Sequence, residues 1–232
     1  MKCSAFNALK GIALFCLISF FGSCANENSS DVNQDRIYAE YELYYDKNQD
    51  KTYASVIFRF GNASGTQLEL TSPSHVTFNG DEIPFDGTFS YYRKEYAGLV
   101  TSGTFVFTDT DGNSFTNTVS STRTIAFPAN MDTIHNTTSY NLVWTGDSIV
   151  PNERVDVWLD GPQQNNAEYF LQYQVNTNSV ILAANQLQAL GLGSTTCTME
   201  RIWEQPAVSV TSAGGKVRVK YKALNKTVQV VQ

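Results

Sequence analysis

From Arg36 onward apolar and polar positions alternate. Ile37, Ala39, Tyr41, Leu43 and Tyr45 are separated by Tyr38, Glu40, Glu42 and Tyr44. This period of two puts one set of side chains on each face of a half-buried strand. Residues 46–50 are polar and turn the chain, and residues 52–60 return antiparallel. Short strands are predicted at 67–70, 74–78, 89–92, 104–108 and 114–119. The last two flank Asp111-Gly112, a hairpin signal because the pair tolerates the positive φ of a tight turn. After the polar stretch 120–122 a second set is predicted at 124–127, 139–144, 154–159, 169–175, 179–182, 195–203, 216–222 and 227–231. Val155, Val157 and Leu159 alternate there with Asp156 and Trp158. One helical signal interrupts the strands: over 183–190, Leu187 and Leu190 share a face and Gly191 ends the run. Frequent turn signals with so little helical periodicity predict an all-β fold. The expectation is two immunoglobulin-like β-sandwiches in tandem, 36–123 and 124–232, with a short helical crossover.

The chain ahead of the strands has a different grammar. Lys2 and Lys10 precede the apolar run 11–21, which ends in Gly22-Ser23-Cys24. This is the anatomy of a secretory signal peptide over 1–23, and the run is too short to span a bilayer. Small residues leading into a cysteine resemble a bacterial lipobox. That resemblance implies lipidation at Cys24 and a membrane partner through the lipid. In such lipoproteins an aspartate after the cysteine goes with inner-membrane retention; here Ala25 follows, which points to the outer membrane. Residues 24–35, polar and nearly free of large apolar side chains, are expected to form a flexible tether.

Charge and cysteines narrow the class further. The chain carries 16 basic and 22 acidic residues, a formal net charge of −6. Loss of Lys2 and Lys10 with the signal makes it more acidic still, which argues against nucleic acid as a partner. Of four cysteines, Cys3 and Cys16 lie in the signal, leaving only Cys197 beside Cys24. No disulfide framework is possible, so stability must come from core burial. Alternation places Cys197 on the face of Met199, an inert buried thiol.

Several constellations imitate chemistry. Gly146-Asp147-Ser148 with Asp132 and His135 mimics the serine and Asp-x-x-His elements of a lipase/esterase family. The chain order is inverted and the surroundings are all-β, so a turn between strands is the preferred reading. Asp46-x-Asn48-x-Asp50 and Asp109-x-Asp111-Gly112-Asn113 have calcium-loop spacing. Both lack the closing glutamate, and alternating Asp and Asn also serve hairpin turns. His75 and His135 are far apart and form no zinc cluster. Asp81, Glu82 and Asp86 read as a solvated loop. No metal or cofactor is expected. Tyr91, Tyr92, Tyr96 and Trp158 are candidate ligand-binding aromatics, since such rings stack on sugars or serve protein interfaces. Tyr38 and Tyr44 are of the same kind. Lys216, Arg218, Lys220 and Lys222 share one face of a strand. They form either a solvated face that discourages edge pairing or a basic stripe for an anionic glycan or lipid headgroup.

Residues 53–70 with 76–80, and 140–146 with 187–193, are similar to segments of hypothetical Bacteroidetes lipoproteins built from tandem β-sandwich modules. The resemblance covers most of residues 24–232 and brings no catalytic residue with it. Together these features point to a lipid-anchored envelope protein that binds a glycan or a protein partner, or braces a complex, rather than to a hydrolase.

Overall fold

The computed structural model describes residues 26–120, 123–163 and 166–232. The expected signal peptide (1–23) and Cys24 lie outside the described residues. In chain order the strands of the first half are β1 (Glu27–Asn28), β2 (Ile37–Asp46), β3 (Lys51–Phe60), β4 (Gln67–Glu69), β5 (His75–Phe78), β6 (Asp81–Glu82), β7 (Phe85–Asp86), β8 (Tyr91–Ala97), β9 (Ser102–Thr108) and β10 (Ser114–Ser120). The second half contributes β11 (Thr133–His135), β12 (Tyr140–Val143), β13 (Glu153–Asp160), β14 (Ala167–Gln172), β15 (Ser179–Leu182), helix α1 (Ala184–Leu190), β16 (Gly193–Pro206), β17 (Gly215–Lys222) and β18 (Lys226–Val231). The fold is all-β, with one short α-helix among the described residues. Gly112 takes φ 84° in the Asp-Gly turn, and Gly191 takes φ 83° at the end of α1.

Among the described residues twelve strands share one sheet, whose main path is β1-β4-β3-β2-β17-β16-β13-β14. From β4 to β14 its inner face is apolar, because the period-two strands turn their apolar set the same way. A four-stranded sheet, β10-β9-β5-β6, covers one part of that face. Their shared core is aromatic: Phe58 meets Phe107 at 4.6 Å and Tyr41 meets Phe105 at 5.3 Å between centroids. The β12–β15 pair and α1 cover another part, over a more aliphatic core that includes Val155, Val157, Leu187 and Leu190. Truncating a fully buried ring such as Phe105 costs about 3–5 kcal/mol in cores of this kind.

The tandem expectation did not contain the joint between the halves. β17 runs parallel to β2, with Gly215 opposite Ala39 and Lys222 opposite Asp46. Val217 and Val219 of β17 enter the aromatic core, while Tyr45 of β2 enters the aliphatic one. The approach is close at its start: a Cβ on Gly215 would stand 2.6 Å from the Ala39 carbonyl oxygen, so only glycine fits there.

The expected tether is docked from Glu27 onward. Glu27 and Asn28 pair in parallel with Leu68 and Glu69. Ser29 is fully buried, and its Oγ accepts from the Thr71 amide at 2.8 Å. Gln34 Nε2 donates to the Ser29 and Val32 carbonyls at 2.6 and 3.0 Å. Asp35 accepts from the Ser212 amide at 3.0 Å. The polar side chains that suggested a solvated coil instead satisfy backbone groups, which low hydrophobicity alone does not reveal.

Candidate functional site

The outer face of the large sheet carries the complementary, polar set of side chains. β17 lies between β2 and β16, so its cations stand in the middle of this face rather than at an edge, and the edge-protection reading of the stripe is corrected. Register sets each beside a carboxylate. Lys216 Nζ is 3.6 Å from both Glu40 and Glu204. Arg218 reaches Glu42 at 3.2 Å and Glu204 at 2.5 Å. Lys220 meets Glu200 at 3.3 Å, and Lys222 meets Asp46 at 3.6 Å. Burial raises the Glu204 pKa, but the Arg218 hydrogen bond and nearby cationic charges outweigh it and hold the carboxyl below its ordinary range. The stripe is therefore a neutralised ladder, not a free basic track.

Next to the ladder the face is recessed. Ser55 of β3 is small and lies opposite Glu42 on one side and Arg93 on the other. Around it a groove of ≈ 410 Å³ opens to solvent, with Tyr44, Tyr53, Tyr91, Arg93, Lys220 and Glu42 among its lining. Four of these side chains form one stack across four strands. Lys220 Nζ lies 4.6 Å from the Tyr44 ring centroid. The Tyr44 and Tyr53 rings are 5.9 Å apart at 25°, and the Arg93 guanidinium carbon is 3.9 Å from the Tyr53 centroid. Cations over ring faces are favourable and hold these side chains in place. The Tyr53 hydroxyl donates to Gln49 Oε1 at 2.5 Å, which fixes that ring from its far end.

The sequence-derived aromatics are dispersed. Tyr91 lines the groove. Tyr92 is buried against Phe58 and Phe85, its hydroxyl oxygen accepting from the Leu70 amide at 2.6 Å. Tyr96 turns to the inner side against Phe78. Trp158 is on the outer face, but beside Tyr169 at 5.3 Å on the β13–β14 hairpin. Tyr53, Ser55 and Arg93 were missed as site residues. The equal-armed hairpin around residues 46–50 places Tyr53 across from Tyr44, and counting back from that turn would have found the pair.

The catalytic imitations resolve into structural contacts. Arg123 Nη2 donates to the Ser148 carbonyl, while Arg201 Nη2 and Trp144 Nε1 donate to that of Asp147. His135 Nδ1 lies 3.0 Å from the Gln232 carbonyl, and Asp132 pairs with Lys226 at 3.2 Å. His135 and Asp132 thus have separate partners, and Ser148 is engaged through its backbone carbonyl. In each Asp-rich turn the leading aspartate caps its own turn. Asp46 Oδ1 accepts from the Asn48 amide, and Asp109 Oδ1 from the amides of Asp111 and Asn113, each at 2.9 Å. Asp81 is engaged by Lys94 and by the Tyr96 hydroxyl. Cys197 is fully buried, and burial together with the Asp160 charge pushes its thiol up to about 12.

No protein-family model matches the chain, and no curated protein does. Among solved structures it is similar to one reported as a structural insight into host cell surface retention of a 1.5-MDa bacterial ice-binding adhesin. The identity is 15% and the TM-score 0.25, with 79% of this chain and 75% of that chain covered.

Proposed function

We propose that the chain is an exported, lipid-anchored protein of the outer membrane that works as a non-enzymatic binding module, with the outer-face groove as its glycan site. The observation that carries this reading is the groove itself. It joins aromatic edges, hydroxyls and paired charges on a rigid central sheet, the mixture that small polar ligands require. The signal-like residues 1–23 and Cys24 support the anchoring part. Division into two modules near residue 123 belongs to the same proposal, and the two hydrophobic clusters support it. A docked N-terminal segment would hold the module close to its anchor rather than on a long leash.

A second reading, docking of a protein partner, is favoured by one observation. Tyr169, Leu171, Tyr173 and Val175 on and after β14 are 42–71% exposed, and clustered apolar side chains of this kind mark interaction surfaces.

Glycan-array binding by the exported Cys24→Ser protein tests the first reading. Tyr91→Ala should lower binding, and Trp158→Ala, on the same face but outside the groove, should leave it unchanged. Binding to no glycan would overturn the site and leave the protein-partner reading. Cys24→Ser itself should release the protein from the membrane without unfolding it, and retention in the membrane fraction would overturn the anchor.

A further inference from the structure

Resting on the groove as a glycan site, we infer that its ligand is a carboxylated oligosaccharide of the uronate type and that Arg93 binds the sugar carboxylate. Charge pairing is the first reason. Lys216, Arg218 and Lys220 all have carboxylate partners, whereas among the described residues no carboxylate lies within salt-bridge distance of Arg93. Its guanidinium makes one weak side-chain hydrogen bond, to the Tyr91 hydroxyl oxygen at 3.4 Å. Stacking on Tyr53 fixes the plane of the fork and leaves N–H donors on its rim. A planar fork with free donors matches a carboxylate bidentately, and pre-orientation lowers the entropy lost on binding.

The second reason is what the aromatics no longer offer. Tyr44 lies between Lys220 and Tyr53, and Tyr53 between Tyr44 and Arg93. Tyr53 is only 4% exposed. Neither ring has a face left for a neutral sugar to stack upon, so recognition passes to charge and hydrogen bonding. Ser55 and the Tyr91 hydroxyl can exchange hydrogen bonds with sugar hydroxyls, and Glu40 and Glu42 retain lone pairs that accept them. Those same glutamates, with the net charge of −6, oppose a densely sulfated or phosphodiester polymer. One carboxylate amid hydroxyls fits; a polyanion does not. The volume lies within the roughly 300–1,000 Å³ of small-ligand sites, enough for a short segment of chain.

Calorimetry with the exported Cys24→Ser protein tests this. The probes are oligogalacturonate, oligoglucuronate and oligomannuronate, each beside its methyl ester, together with a neutral-glycan panel and heparin. At least one acid form should bind, and its ester should bind about tenfold or more weakly, as expected when a charged hydrogen bond is lost. Arg93→Gln should weaken the acid by a similar factor and the ester by much less; Arg93→Lys should recover part of the loss. Thermal melts of both variants, matched to the parent, separate a binding defect from unfolding. Equal binding of acid and ester, preference for a neutral glycan, or tighter heparin binding would overturn the inference while the glycan site stands. Absence of binding to every carbohydrate would overturn both.

Discussion

Two ion clusters in this protein are made of the same residue types and serve opposite ends. In the first, Glu153 lies between Arg201 at 3.0 Å and Arg123 at 2.6 Å, with side-chain exposures of 2% for Glu153 and 3% for Arg201. Both arginines also donate to the carbonyls of the Asp147–Ser148 loop, and Glu153 Oε2 accepts from the Val150 amide. The cluster pins a loop. In the second, the β17 cations and the acids of β2 and β16 lie flat on an outer face beside a groove. Solvent screens the charges there, so each pair adds little to stability. Burial decides which cluster is a rigid scaffold and which is a solvent-screened surface.

Cutting the buried cluster should have the largest effect. Glu153→Ala leaves Arg201 without its carboxylate in a dry site, an expected loss of about 3–5 kcal/mol in urea unfolding. A loss as small as that of a surface pair would erase the contrast. Arg218→Ala, which removes contacts to Glu42 and Glu204 in the ladder, should cost about 1 kcal/mol or less in the same assay. Acidification separates the clusters differently. The Glu204 pKa is held below its ordinary 4.5, so its contribution is complete above 4.5. It fades as the pH falls from there through the lower folded value. A melting-temperature profile should show a small step in that acid window that disappears in Glu204→Gln. The smallest effect is expected at Cys197, on the inner face of the same strand as Arg201. With its thiol pushed up to about 12, iodoacetamide at neutral pH should leave the native protein unmodified and label it only in denaturant.

Local pattern carried much of this architecture into the sequence. The alternations at 37–45 and 155–159, the Asp-Gly hairpin and the two-turn helix all reappear, because each is a short-range consequence of side-chain period or turn chemistry. Cys197 and the one-faced cations of β17 were legible for the same reason. The site was less so. Tyr91 and Tyr92 are neighbours on one strand and must face opposite ways, so at most one could line an outer groove. The parity of Tyr91 selects Arg93 as its companion, not Tyr96. The pairing of β17 with β2 has no turn to announce it, as parallel neighbours far apart in sequence never do. Without that pairing the ladder and its groove cannot be assembled on paper.

The parallel joint also sets the order in which the protein can be made. Val217 and Val219 complete a core whose other members come mostly from residues 37–119, so the first half leaves the ribosome with its packing unfinished. Until β17 arrives, one side of β2 is an open edge with alternating apolar residues, the kind of edge that recruits other chains. Contacts this distant in sequence form late, because the intervening loop must be closed before they repay it. Folding of the first core is therefore completed only when the last strands close it. A chain truncated after Pro206 should aggregate rather than yield a working first half.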